Sequence, residues 1–261
     1  MRVRRVCMTK ERDGKMTEFT ISLAGVGIGV SALYETTKRF CEAYLTEAEP
    51  AFTVVMERED IAYERRKTAQ EAALEGLPEQ DFSDGYLETL ALYRKLAKGM
   101  LGYDAVVFHG SVLAYEGRAY LFTALSGTGK TTHSRLWLKN IPGCHILNGD
   151  KPLLRVTAEG VFACGTPWQG KEGYGRNEIL PLEAICILER DSRNHIEPVS
   201  FREGMNTLIQ QTNRPGETAL LLKTLDLIGK IGGGVKLYRL GCNMEDEAAF
   251  VSFEGMRADR G

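Results

Sequence analysis

The chain alternates between short apolar runs and longer segments in which apolar residues recur every three to four positions. Runs of the first kind are typical of buried strands, and segments of the second kind are typical of helices. The predicted strands are 19–23, 52–56, 105–108, 112–115, 119–123, 146–150, 153–156, 161–164, 181–188 and 235–240. The predicted helices are 31–45, 85–101, 130–139, 202–211, 217–231 and 245–256. Strands and helices mixed in this order indicate an α/β fold.

Turns and breaks divide this pattern further. Short polar turns at 116–118 and 158–160 each separate two predicted strands, which indicates two hairpins. Residues 68–84 are polar and predict irregular structure, and the three glycines at 232–234 predict the end of a helix. The charged residues between 57 and 67 predict a solvated face.

The pattern of apolar and polar residues changes near residue 100. Residues 1–100 predict a small accessory α/β region, and residues 101–261 predict a larger catalytic domain that binds a nucleotide. The helix predicted at 85–101 leads from one to the other. A chain of 261 residues is long enough for one large or two modest domains with a full hydrophobic core.

The loop after the strand at 119–123 carries the most informative motif. Its core sequence consists of Ser126, Gly127, Thr128, Gly129, Lys130, Thr131 and Thr132. Strand, glycine loop and helix are the context in which backbone N–H groups can cradle phosphate. The consensus has glycine at the first position, where this chain has Ala124, so the match rests on the remaining core. The alternative is a turn rich in glycine and threonine that binds nothing.

The residue types in this loop predict ATP and Mg²⁺ as cofactors. Lys130 has the length and charge to reach the outer phosphates, and the Thr131 hydroxyl can ligate Mg²⁺. The remaining loop residues supply N–H groups and the partial positive charge of the helix start. We therefore expect an ATP-binding site at residues 126–132.

Two further residues are candidates for the same site. The apolar strand at 146–150 ends in Asp150, which places a carboxylate where a metal ligand or a proton acceptor is needed beside a phosphate loop. His109 follows another short strand, and either orients Asp150, contacts phosphate or serves as a hydrogen-bonded structural histidine. The expected catalytic residues are thus Asp150, His109 and Lys130, and the expected metal ligands are Thr131 and Asp150.

Residues 165–178 break all periodicity and predict a lid over the substrate. Glycines at four positions combine there with charged and polar side chains, a composition typical of loops that close over a site. The side chains expected to meet substrate are Lys171, Glu172, Arg176 and Asn177. Lys171 or Arg176 can neutralise charge in a transition state, and either residue can equally be a solvated cation of the loop. The alternative for the whole segment is a surface loop.

A second glycine pattern lies near the N-terminus. Gly25, Gly27 and Gly29 follow a predicted strand, and Glu57 follows the next one, which resembles a dinucleotide-binding turn. The third glycine is misplaced for that motif, so we prefer a flexible turn in an accessory unit of roughly residues 1–75.

Charge and cysteine usage limit the class of protein. Lys and Arg number 33 and Asp and Glu 35, for a net charge of −2, so no nucleic-acid partner is expected. The cysteines form no C-x-x-C pair, which favours small buried residues of a reducing compartment over a disulfide or zinc framework. They are Cys7, Cys41, Cys144, Cys164, Cys186 and Cys242.

The N-terminal sequence favours a cytoplasmic protein without a membrane partner. Residues 1–5 are basic, but the uncharged stretch at 19–34 is too short to span a bilayer. Acidic residues intervene and no clear cleavage site follows, so a signal peptide is the lesser alternative. The oligomeric state stays open, a homo-oligomer included.

Residues 109–190 resemble the catalytic domain of HPr kinase/phosphorylase, which is similar to the nucleotide domain of ATP-dependent phosphoenolpyruvate carboxykinase. The glycine loop looks like the carboxykinase version, and His109-Gly110 precedes it much as in HPr kinases. Gly149-Asp150 resembles the start of an Asp-Asp pair found in both families. The resemblance implies a mixed-sheet P-loop core and an ATP-dependent kinase in which Asp150 accepts the proton of a Ser or Thr hydroxyl on a protein or peptide.

The chain departs from that family in three places. Lys151 stands where the family has a second Asp, the Glu-x-Arg-Gly signature is not recognisable near residues 165–172, and residues 1–100 match no regulatory domain of that family. The acceptor therefore need not be HPr, and small natural-product peptides are one class that relatives are thought to phosphorylate. Two alternatives remain: a small-molecule phosphotransferase, carboxykinase-like or acting on a free hydroxyl, and a nucleotide-binding switch without transfer chemistry.

Overall fold

The protein has a mixed α/β fold, as the sequence predicts. A computed structural model describes residues 16–78, 80–125, 128–170 and 173–257. The strands are β1 (Thr17–Leu23), β2 (Val26–Ala32), β3 (Phe52–Val55), β4 (Ala105–Val107), β5 (Ser111–Tyr115), β6 (Arg118–Thr123), β7 (His145–Asn148), β8 (Leu153–Thr157), β9 (Gly160–Cys164), β10 (Ile179–Arg190), β11 (His195–Pro198) and β12 (Lys236–Cys242). The α-helices are α1 (Glu35–Phe40), α2 (Arg58–Leu74), α3 (Asp84–Gly99), α4 (Lys130–Asn140), α5 (Phe201–Gln210), α6 (Thr218–Gly234) and α7 (Glu247–Arg257).

These strands form a small sheet and a large one. The small sheet has three strands in the order β1-β2-β3. The large sheet has nine strands, with a main path β4-β8-β9-β10-β6-β5-β7, while β12 pairs with β10 and β11 pairs with β12. Strand β10 is parallel to β6 and β12 but antiparallel to β9, so the large sheet is mixed. The mixed sheet confirms the coarse fold prediction, and a P-loop core within it stays a prediction.

Strand β6 runs through the centre of the large sheet and leads directly into the glycine loop. Tyr120, Leu121 and Phe122 are fully buried because both faces of the sheet are covered there. The predicted hairpin with β5 is present, and its turn puts Glu116 at φ 48° and Gly117 at φ 72°. Positive φ at both central positions matches the right-handed twist of the strands and explains the glycine.

All ten predicted strands are present, but β2 and β11 were not predicted. The helix predicted at 31–45 is wrong, because residues 26–32 are a strand and α1 covers only Glu35–Phe40. Gly27 lies inside β2, where a Cβ would come within 2.6 Å of the Glu49 carbonyl oxygen. The glycines there allow close packing within the small sheet, and the strand–turn–helix geometry of a dinucleotide site does not form.

The secondary structure after residue 57 also differs from prediction. This part of the chain forms α2, which continues to Leu74 into a segment predicted to be irregular. Glu64 is 2% exposed and accepts from Arg94 Nε at 2.7 Å, while Asp60 accepts from Arg94 Nη2 at 3.0 Å. These two carboxylates are buried against α3, while the other charged residues of the segment are exposed and form the predicted solvated face. The exposed residues are Glu57, Arg58, Glu59, Arg65, Arg66 and Lys67.

Helix α6 likewise runs on to Gly234, past its predicted end at the start of the three glycines. The small residue is needed there because a Cβ at Gly232 would come within 2.0 Å of the Phe201 ring. A glycine run therefore serves close packing of α6 on the start of α5 and does not end the helix.

The hydrophobic core joins the two sheets. One cluster packs Ile28 and Val30 of the small sheet with Val107 and Leu153 of the large one. Two further clusters include residues of the large sheet, packed with α6 in one case and with α4 and α7 in the other. The boundary predicted at residue 100 stays a prediction, since this shared core lies across it.

The predicted burial of the cysteines holds for three of the five that the structure describes. Cys41, Cys144, Cys164, Cys186 and Cys242 are all free thiols, and three of them are buried. Cys7 lies outside the described residues. Burial raises the pKa of Cys41 and Cys164 to about 12, which keeps these thiols protonated. Among the helices that the structure describes, none has both the length and the hydropathy needed to cross a membrane.

Candidate active site

The residues predicted to be catalytic lie around one cavity at the ends of β6 and β7. It has a volume of about 570 Å³, and His109, Lys130, Thr131 and Asp150 all line it. These residues come from separate parts of the chain, and the sheet brings them together because β5 lies between β6 and β7. Thr128 and Gly129 stand at the entry to α4, and Thr132 lies exposed in its first turn. Ser126 and Gly127, also predicted to bind ATP, lie outside the described residues.

The glycine loop ends in the start of a helix, as a phosphate site requires. Gly129 has φ 122°, a conformation open to glycine and rarely adopted by other residues, and α4 begins at the next residue. Thr128 Oγ1 donates to the Leu125 carbonyl oxygen at 2.8 Å and so fixes the approach to the helix. The first N–H groups of an α-helix have no partner within the helix, a geometry that can bind an anion.

Lys130 is held close to the loop. Its Nζ donates to the Ala124 carbonyl oxygen at 3.4 Å, so the side chain folds back over the segment that it follows. Burial lowers the pKa of Lys130, the charge of Asp150 opposes that effect and Lys151 adds to it, and the net pKa is below the ordinary 10.5. Lys130 forms no ion pair with any residue that the structure describes, so its ammonium group is free to bind a phosphate.

Asn148, which sequence reasoning did not select, fixes Asp150. Its side chain is fully buried, and its Oδ1 accepts from the N–H groups of Asp150 at 2.9 Å and Lys151 at 2.8 Å. Its Nδ2 donates to both the carbonyl and the hydroxyl oxygen of Thr166 at 3.1 Å. The signal was an Asn two residues before an Asp, a pattern in which the side chain closes a turn over following N–H groups.

Asp150 is surrounded by cationic and hydrogen-bonding groups. His109 Nε2 lies 3.3 Å from Asp150 Oδ1, and Lys151 Nζ lies 3.9 Å from the same oxygen. Burial alone raises the pKa of Asp150, but the hydrogen bond from His109 and the charges of Lys151 and Lys130 outweigh it and hold the pKa below 3.8. The group is therefore a carboxylate at neutral pH, suited to accept a hydrogen bond or to ligate a cation.

The back of the cavity is braced by two serines. Ser134 Oγ donates to the Lys130 carbonyl oxygen at 3.0 Å, and Ser111 Oγ lies 2.8 Å from Ser134 Oγ. Since Ser134 uses its proton on the helix, Ser111 is the donor of the pair. This buried contact ties the first turn of α4 to β5 and was not predicted.

The predicted lid is attached along much of its length. Gly165 N donates to the Glu178 carbonyl oxygen at 3.0 Å, and Arg176 N donates to the Leu147 carbonyl oxygen at 2.9 Å. At Gly165 a Cβ would come within 1.9 Å of the Arg176 carbonyl oxygen, so this glycine permits close contact. The side chain of Arg176 turns to Glu178 at 3.4 Å, and that of Asn177 donates to the Ala43 carbonyl oxygen at 3.4 Å. Neither lines the cavity, while Lys171 and Glu172 lie outside the described residues.

The N-terminal region holds this segment in place. Trp168 Nε1 donates to the Thr89 carbonyl oxygen at 3.2 Å, and its ring contacts those of Phe40 and Tyr93 at centroid distances of 5.7 and 5.3 Å. Gln169, which lines the cavity, lies 3.4 Å from the Tyr44 hydroxyl. Residues of α1 and α3 thus shape one wall of the site, a role that the sequence did not indicate.

Comparison with known proteins gives a weak likeness of fold. No protein-family model and no curated protein matches the chain. A solved structure, the Hpr(Ser) kinase/phosphatase from Coxiella burnetii, aligns with 59% of this chain and 99% of its own at 8% identity and a TM-score of 0.36. At this TM-score the two chains share only a weak resemblance of fold, so the activity of that enzyme is no guide to this one.

The donor set fits a magnesium ion carried by a nucleotide. Asp150 supplies a carboxylate and Thr131 a hydroxyl on the same cavity. Mg²⁺ is usually held by one or two carboxylates together with substrate phosphates and water. No three His, Cys, Asp or Glu side chains cluster as a metal site within the described ranges, so an all-protein cage is not formed there.

Proposed function

We propose that the protein is an ATP-dependent kinase that transfers the γ-phosphoryl group to a Ser or Thr hydroxyl of a protein or peptide. The observation that carries the proposal is the position of Asp150, whose carboxylate shares one cavity with Lys130, Thr131 and the start of α4. Phosphoryl transfer needs positioning and charge neutralisation more than covalent chemistry, and these groups supply both.

The residues divide the reaction between them. Lys130 and the first N–H groups of α4 hold the outer phosphates, and Thr131 and Asp150 hold a nucleotide-borne Mg²⁺, which neutralises phosphate charge when bound. A bond forms between the acceptor oxygen and the γ-phosphorus as the bond from that phosphorus to the β–γ bridging oxygen breaks, and ADP leaves. Asp150 accepts the hydroxyl proton, and His109 orients its carboxylate.

The first test is nucleotide binding in Lys130→Ala. We expect the Kd for ATP with Mg²⁺ to rise at least about tenfold, because the ammonium contact with the outer phosphates is lost. Lys139→Ala is the matched control, since Lys139 also lies on α4 but pairs with Asp246 at 2.6 Å. Isothermal titration calorimetry measures both. Equal affinity of Lys130→Ala and the wild type would refute a phosphate-binding loop here.

Lys151 favours a second candidate, a nucleotide-dependent switch without transfer. Its ammonium lies 3.9 Å from Asp150, where the resembled family has a second carboxylate. Incubation with γ-labelled ATP and a cell extract, followed by separation of proteins from metabolites, distinguishes the alternatives. Label in protein supports the kinase, label in metabolites supports a small-molecule phosphotransferase, and bound nucleotide without transfer supports the switch.

A further inference from the structure

A second, larger cavity adjoins the first one at Asp150. Its volume is about 1240 Å³, and Asp150, Gln169 and Gly170 line both cavities. The larger cavity is a groove between α2, α3 and the segment that starts at Pro167, and residues 213–217 form another part of its wall. We refer to it as the acceptor groove. Because it shares the carboxylate proposed as the proton acceptor, a hydroxyl bound at that end faces Asp150.

The size and the lining of the acceptor groove favour a peptide over a small molecule. Small-molecule sites measure about 300–1,000 Å³, which the groove exceeds. Its walls carry five aromatic side chains, and three of these are more than one third exposed although they line a cavity. They are Phe40, Tyr63, Tyr86, Tyr93 and Trp168. Rings of this kind give contact area at low entropic cost to a bound peptide segment.

The charges of the groove are mostly paired with one another. Arg94 binds Glu64 at 2.7 Å, and Lys98 binds Glu217 at 2.6 Å. Lys67 lies 3.8 Å from Glu71 on the same helix. The charges within these three pairs cancel.

Among the described lining residues, the cations outside these pairs are Lys151 and Arg214. Lys151 lies 3.9 Å from the carboxylate of Asp150, and Arg214 is exposed and forms no ion pair with any residue that the structure describes. Among the same lining residues only Asp150 opposes these two charges, so the described lining carries a net positive charge. A carboxylate near the accepting hydroxyl complements that charge.

We propose that the acceptor groove binds an extended segment of a protein or peptide in which an Asp or Glu lies close to the accepting Ser or Thr. Its carboxylate pairs with Arg214 and Lys151, while the aromatic walls hold flanking side chains. The hydroxyl then meets Asp150 at the junction of the two cavities. This inference rests on the proposed kinase function and adds the class of acceptor.

A positional-scanning peptide library with a fixed serine tests the proposed acidic acceptor. Each pool fixes one flanking residue, and transfer from γ-labelled ATP is measured for every pool. We expect pools with Asp or Glu near the serine to be labelled at least about tenfold faster than pools with Lys or Arg there. Equal labelling of acidic and basic pools, or no labelled pool while ATP still binds, overturns the inference.

Reversing the charge of Arg214 tests whether the preference for acidic peptides arises in the acceptor groove. In Arg214→Glu the KM for the best acidic peptide should rise at least about tenfold, with the KM for ATP unchanged and basic peptides improved. Arg202→Glu is the matched control, because Arg202 is exposed on α5 and lines neither cavity. An acidic preference that survives Arg214→Glu overturns the inference, as does transfer to free hydroxy acids alone. If the wild type binds no ATP, or binds ATP but labels no protein in a cell extract, the proposed function itself fails. If it labels protein in the extract, failure is confined to the class of acceptor.

Discussion

Asp150 shows how a single residue acquires its properties from groups distant in sequence. Burial disfavours its charge, but His109 and the two lysines reverse the net effect on its pKa. A lowered pKa is poor for a strong base and good for a permanent carboxylate, so its contribution comes mainly from position. That position depends on the amide of Asn148 beneath it.

Replacing the carboxylate tests this role. We expect Asp150→Asn to keep its ATP affinity within about tenfold while transfer falls by about 10²–10⁴, the usual contribution of general acid–base catalysis. Calorimetry and a transfer assay with γ-labelled ATP measure the two quantities separately. Turnover near the wild-type rate would contradict the role, and complete loss of ATP binding would show that Asp150 acts chiefly as a metal ligand.

Asn148→Ala separates positioning from chemistry. The substitution leaves the part-buried N–H group of Asp150 without its side-chain acceptor, which costs on the order of 2 kcal/mol in the free energy of unfolding. The N–H group of Lys151 keeps the Trp168 carbonyl oxygen at 3.2 Å. We expect transfer to fall at least about tenfold with the KM for ATP unchanged. Asn140→Ala is the control, since Asn140 bonds Leu136 and Asp246 away from the site. Urea denaturation and steady-state kinetics measure both variants, and equal transfer by both would exclude positioning by Asn148.

Among the secondary-structure elements, helix α4 is joined to helix α7 through the hydroxyl group of Ser252. His133 Nε2 lies 3.0 Å from Ser252 Oγ, and Trp137 Nε1 donates to the same oxygen at 2.7 Å. Ser252 Oγ in turn donates to the Ala249 carbonyl oxygen at 3.0 Å. The helix that presents Lys130 is thereby fixed from behind by the last helix of the chain.

This junction predicts a pH dependence of stability. Burial lowers the pKa of His133 from 6.5 to about 4, so the unfolded chain binds its proton first as the pH falls. The contribution of His133 to the free energy of unfolding is fully present above pH 6.5 and is lost as the pH falls from about 6.5 to 4. From pH 7 to 5 the loss is about 2 kcal/mol, at 1.36 kcal/mol per pKa unit.

His133→Gln removes the titration and keeps a donor for Ser252. Urea denaturation at pH 7 and pH 5 should show a smaller loss of unfolding free energy in the variant than in the wild type, by about 2 kcal/mol. Equal losses in the two proteins would show that His133 does not carry the effect.

At the scale of the whole molecule, the N-terminal region is part of the site. Its aromatic side chains hold Trp168, and its small sheet shares a hydrophobic cluster with β4 and β8. Regions that share a hydrophobic core do not separate freely. The region therefore supports the wall that divides the two cavities.

A fragment of residues 101–261 tests this dependence. Without the first hundred residues, Val107, Leu153 and Trp168 lose their covering side chains, and we expect no cooperative thermal transition by circular dichroism and no measurable ATP binding. A fragment that unfolds cooperatively and binds ATP like the full chain would show that the region from residue 101 onward folds independently.

Residues close together in the sequence specify the local features of the fold. The apolar runs predicted ten of the strands, because a buried strand has to be apolar over its length. The Glu116-Gly117 turn could be predicted because its backbone angles favour glycine. The order of strand, glycine loop and helix around Lys130 was also local information. Such features depend on neighbours within a few residues, which is the range that pattern reasoning covers.

Contacts between distant residues depend on the complete fold. The sequence marked glycines as hinges or turns, yet Gly27, Gly165 and Gly232 are there because another segment packs against them. Likewise Asn148 became a positioning residue only when the fold set Thr166 beside it. The second cavity arises where α2 and α3 face the segment from Pro167, a contact between distant parts of the chain that no local pattern encodes.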